Sequence, residues 1–145
     1  MPALQSSESK TFSDAWGKES VSPAVLTHED ALVTSSAVVK EYHEAWTRLI
    51  DGKLIEWGWN PQVFDDEIEA PTRVALAQAM QLAAWMRERN WQLPTGLIPD
   101  GEGGVVFENR QGLYYARLEV LSDGTIYYVA FEGSKLTGRD EVVIG

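Results

Sequence analysis

Cysteine is absent from this chain. That removes disulfides, thiolate metal ligands and thiol nucleophiles from any account of the protein. Histidine is scarce. His28 and His43 each open a near match to the helical metalloprotease pattern, "HEDAL" and "HEAWT", but the second imidazole belongs four residues on, where Leu32 and Thr47 stand. Neither stretch therefore makes a zinc pair, and His43 reads as a surface or half-buried helix residue. Basic residues are few, with Lys and Arg totalling 12 against 22 Asp and Glu, for a net charge of −10 at pH 7. Such a balance is unsuited to neutralising phosphates, so direct nucleic-acid binding and adhesion to anionic membranes are not expected. Long apolar runs are missing too. The most apolar helical stretch, residues 75–86, contains Gln78 and Gln81 and is too short to cross a bilayer. The first residues hold no basic segment followed by an apolar run, so no secretory leader is expected and the protein reads as cytoplasmic.

What is present suits one domain. A chain of 145 residues that is 44% hydrophobic can build a core without metal or disulfide support. Residues 1–34 are rich in Ser, Thr and charge, and their apolar residues are scattered. They read as a mobile or loosely docked arm, with Phe12, Trp16 and Ala24–Leu26 as possible anchors. The domain proper is expected over 35–145.

Within it, Val39, Tyr42, Trp46, Leu49 and Ile50 form a helical stripe over 36–50. Ser35 or Ser36 could cap its start, and Gly52 suits a left-handed C-terminal position. The stretch "KLIEWGWNPQVF" reads as a short strand or packed loop, because Gly58 and Asn60-Pro61 interrupt it. A second helix is predicted over 71–89, with Pro71 at its first position and Ala75, Leu76, Ala79, Leu82, Ala83 and Met86 on its apolar face.

The remainder is rich in β-branched and aromatic residues, predicting strands over 105–109, 113–121 and 125–132, with "EVVI" as a possible added edge strand. "NRQG" suits a three-residue loop and "SDG" a two-residue turn centred on Asp123 and Gly124. That register pairs Val106 with Ala116 and Leu118 with Val129. One face then gathers Val106, Tyr114, Ala116, Leu118, Val120, Tyr127, Val129 and Phe131 as the core. The other carries Val105, Phe107, Tyr115, Arg117, Glu119 and Tyr128. It is half apolar, so either the first helix or another subunit is expected to cover it; we read it as an interaction surface, since such patches usually have a partner. The expected fold is α+β, with two main helices packed on a three- to four-stranded antiparallel meander and an irregular N-terminal arm.

Three constellations could carry chemistry. "PDGEGGVVFENRQG" has closely spaced glycines, but they feed a β segment with no lysine, unlike a phosphate loop. Asp100, Glu102 and Glu108 do not follow the alternation of a calcium loop, so a turn leading into a hairpin is expected. Asp65, Asp66, Glu67 and Glu69 precede a helix N-terminus, where negative charge is favourable; a divalent cation or basic partner is the functional alternative. Trp57 and Trp59 could form a stacking platform or fill a core. No catalytic residue, cofactor or metal is predicted.

From Trp91 to Phe131 the chain resembles a pattern of small uncharacterised bacterial α+β proteins. In it a Pro-Asp-Gly segment, a Gly-Gly pair and a strand ending in Glu precede a β-hairpin; here Asn109 stands where an aromatic residue is expected. The resemblance implies a fold element and no activity. The leading functional expectation is a small acidic, non-enzymatic interaction or regulatory protein, dimerising with itself or binding another protein. The alternatives are an acidic mimic of nucleic acid that occupies a binding groove, and a small-ligand binder or enzyme using Trp57, Trp59, Asp65 and Asp66.

Overall fold

A computed structural model describes Trp16, residues 28–64 and residues 66–144, with backbone only at 28–36 and 63. Most of the arm expected over 1–34, including Phe12 and residues 24–26, lies outside the described residues. Helix α1 spans His28–Trp46, so it begins eight residues before the predicted start and takes Ser35 and Ser36 into its interior.

The helix does not stop at Gly52. A π-helical segment, Thr47–Asp51, leads directly into α2, Gly52–Trp59. Gly52 has right-handed angles (φ −59°, ψ −40°), and its N–H donates to the Thr47 carbonyl five residues back. The reason lies in the buried positions, which are Tyr42, Trp46, Ile50 and Leu54. A four-residue step overshoots an α-helical turn by about 40°, and the wider π turn absorbs this drift. Val39 and Leu49, read as core from a shorter spacing, are exposed. "KLIEWGWNPQVF" is thus helix α2 followed by a single 3₁₀ turn, Pro61–Val63, rather than a strand or loop.

Helix α3 spans Arg73–Glu88 and buries the six predicted face residues. Its N-cap is Thr72, whose hydroxyl accepts from Ala75 N, so Pro71 lies before the cap rather than inside the helix.

The sheet has five antiparallel strands in sequential order, which corrects the expected three or four. They are β1 (Gly96–Pro99), β2 (Val105–Gln111), β3 (Tyr114–Val120), β4 (Ile126–Glu132) and β5 (Lys135–Val142). Strand β1 is short and closed by Pro99, a residue tolerated at a sheet edge.

The two hairpin loops have the reverse of their predicted lengths. Gln111 pairs with Tyr114 across a two-residue loop. The next turn is longer: Leu121 N donates to Thr125 O, and Gly124 N donates back to Leu121 O. Consequently Phe107 faces Leu118, Leu118 faces Tyr128, and Val129 faces Arg117. Each loop is wrong by an odd step, so β2 and β4 keep their expected relation to each other but are both turned over relative to β3, whose Ala116, Leu118 and Val120 face the core as expected. The core face is Val105, Phe107, Ala116, Leu118, Val120, Ile126, Tyr128 and Ala130. With Leu97 and the buried residues of the three helices it forms one hydrophobic cluster.

Candidate functional site

The glycine-rich stretch is the β1–β2 connection. Asp100 Oδ1 accepts from Glu102 N and Gly104 N, both at 2.7 Å, and Asp100 N donates to Gly104 O. Gly101 and Gly103 have φ of +84° and +90°. The outer carbonyls serve the approach to α3: Gly101 O accepts from Glu69 N and Gly103 O from Thr72 N. A Cβ at Gly104 would lie 2.5 Å from the Val120 carbonyl and 2.2 Å from Asp100 Oδ2. Thus the glycines permit close backbone approach, and the carboxylate of Asp100 holds the loop.

Trp57 and Trp59 do not form one stacking platform. Trp57 is buried, edge-on to Phe64 with centroids 5.7 Å apart, whereas Trp59 is 84% exposed. Asp65 lies outside the described residues, and Asp66, Glu67 and Glu69 are exposed. Among the described residues no three acidic or histidine side chains gather as metal ligands, and no helix is long and apolar enough to cross a membrane.

The corrected register divides the predicted interaction surface. Val105, Phe107 and Tyr128 are fully buried in the core. Tyr115, Arg117 and Glu119 point to the opposite face of the sheet, with Val106, Glu108, Arg110, Tyr127, Val129 and Phe131. None of these nine belongs to the hydrophobic cluster that the helices share.

A connected polar network covers this second face. Tyr115 donates to Glu108 Oε2 at 2.6 Å, and Arg117 Nε meets Glu119 Oε2 at 2.5 Å. The Arg110 guanidinium lies over the Tyr115 ring at 4.3 Å, with Arg117 near Phe131 and Arg139 near Tyr127, each at 5.8 Å. Val106 and Val129 are buried on this face and are flanked in register by Glu119 and Arg117. Burial and the hydrogen bond to Glu108 raise the Tyr115 phenol above its ordinary pKa. Burial opposes the charge of Arg117, but its bonds to Tyr115 and Glu119 outweigh that and raise its pKa. Charge and apolar area alternate here, and each arginine has a glutamate or ring beside it. The sequence reading places Val106 and Val129 in the core, because the expected loop lengths turn β2 and β4 inside out relative to β3.

No family model matches the chain, and neither does any curated protein or solved structure.

Proposed function

We propose that the protein is a small, acidic, non-enzymatic interaction protein that docks a second copy of itself through the face carrying Tyr115, Arg117 and Glu119. The supporting observation is the local charge balance of that face. On a chain of net charge −10, Arg110, Arg117 and Arg139 stand among Glu108, Glu119 and Glu141. Two copies can approach there with little net repulsion, and a mixed arginine–glutamate surface complements itself under two-fold symmetry. Phe131 and the exposed Leu136, adjacent in register, supply apolar area at one end of the face.

Native mass spectrometry and sedimentation equilibrium test this reading. A dimer is expected at micromolar concentration. Val129→Lys puts a third cation between Arg117 and Arg139 in register, with no carboxylate opposite it, and should weaken association by about two orders of magnitude, the scale of a buried unpaired charge. A wild-type chain that stays monomeric at 100-fold higher concentration overturns the proposal.

A further inference from the structure

The other feature built for recognition lies inside the fold, around Trp16. This side chain is 1% exposed, although it comes from the stretch that composition assigns to a loose arm. Its indole Nε1 donates to the Gln92 carbonyl at 2.6 Å. Its own carbonyl accepts from Asn109 Nδ2 at 3.1 Å, across 93 residues of sequence. Gln92 belongs to the segment that follows α3. The preceding carbonyl, that of Trp91, accepts from the Tyr42 hydroxyl, and the Gln92 side chain is held by Gln111. Two consecutive carbonyls thus receive donors from two separate parts of the chain.

Asn109 is the decisive residue. It is a buried polar side chain, 2% exposed, on the core face of β2 beyond Val105 and Phe107. A buried amide is unfavourable unless its hydrogen bonds are made. Its donor is used on Trp16, while its Oδ1 has no hydrogen-bond partner among the described residues. Packing alone would favour an apolar residue at this position. We infer that Gln92 and Asn109 frame a recognition socket for a tryptophan presented on peptide backbone, filled here by the chain's own Trp16. The Gln92 carbonyl selects the indole N–H, and the Asn109 amide reads the backbone carbonyl next to the ring. Removing the Trp16 ring leaves an indole-sized void with the Gln92 carbonyl aimed into it, while the Asn109 amide stays on the backbone carbonyl of residue 16. The ligand class of the socket is therefore indole, and in particular a Trp-containing peptide segment.

The test uses the full chain. For Trp16→Ala, added indole should raise the melting temperature saturably. 1-Methylindole, which fills the same volume without the N–H, should bind about tenfold more weakly, the size of one hydrogen bond. In a second arm, 5-fluorotryptophan labelling gives Trp16 a ¹⁹F line, assigned by its loss in Trp16→Phe. In Asn109→Leu, which keeps volume and removes the amide, a soluble nitroxide should broaden that line several-fold more than in wild type, with the other tryptophan lines unchanged. Equal binding of indole and 1-methylindole, failure of folded Trp16→Ala to bind indole, or a Trp16 line in Asn109→Leu as protected as in wild type would each overturn the inference. If Trp16→Ala does not fold, the ¹⁹F arm decides.

Discussion

At the scale of the residue, the molecule depends on a few polar side chains that hold backbone. Asp100 closes the β1–β2 loop by accepting from two N–H groups. Asp100→Ala should lower unfolding stability by about 1–3 kcal/mol, read by urea denaturation. Gly104→Ala should cost about as much, since its Cβ would collide with a backbone carbonyl that cannot rotate away. Two groups give pH signatures. The Asp123 carboxyl lies below its ordinary pKa because it accepts from Thr125 N. Its contribution is present above the unfolded-state pKa and fades as pH falls through the folded one, and Asp123→Asn should flatten that acid limb. The Tyr115 phenol titrates late, so the folded state holds its proton when the unfolded state has lost it. Stability should therefore fall above pH about 10. Absorbance at 295 nm should show a late-ionising tyrosine that disappears in Tyr115→Phe.

At the scale of the element, the π turn between α1 and α2 does more than correct a helical phase. It carries Asp51, whose Oδ2 meets Arg87 Nη1 of α3 at 2.6 Å. Both side chains are largely covered, so this pair ties the two helical layers more firmly than a surface bridge would. Asp51→Ala should destabilise by about 1–3 kcal/mol, between the ranges for exposed and buried pairs. The double variant Asp51→Ala/Arg87→Ala should recover part of the loss, in a denaturation cycle. Helix α3 was legible from its alanine-rich face because one periodic stripe faces one partner layer. The α1–α2 helix was misread because Gly52, Gly58 and the broken spacing resemble punctuation. Glycine in a helix is tolerated when packing outweighs its intrinsic cost. In the hairpins, Gly112 and Gly124 were both recognised as turn residues, and both have positive φ (62° and 91°). A left-handed glycine serves a two-residue loop at its first position and a longer loop at its last. Local chemistry therefore left loop length, and with it the orientation of β2 and β4 relative to β3, undetermined.

At the scale of the whole molecule, the free edges favour face-to-face over edge-to-edge association. Strand β1 is short, ends in proline, and has its Leu97 carbonyl taken by Lys53 Nζ at 2.9 Å. Strand β5 carries Lys135, Arg139, Asp140 and Glu141, and its pairing is interrupted by a bulge at Ala130/Phe131. Short, proline-bearing, charged or bulged edges resist pairing with another sheet. Two copies each carrying −10 repel at long range, while the contact proposed here is locally balanced. Association should thus tighten several-fold between 50 and 500 mM NaCl, where the Debye length contracts to a few ångströms, as measured by sedimentation.

The sequence by itself determined the α+β class, the apolar face of α3, the positions of the turns and the structural character of the glycine-rich loop. Each follows from interactions within a few residues of chain, such as helical periodicity, the conformational range of glycine and the short reach of an aspartate side chain. Only the tertiary structure decided which sides of β2 and β4 are inside, that α1 continues through a π turn into α2, and that Trp16 is seated against Asn109. Those outcomes depend on contacts between distant parts of the chain, where a one-residue change in a loop turns a strand over and a buried amide makes sense only once its remote partner is in place.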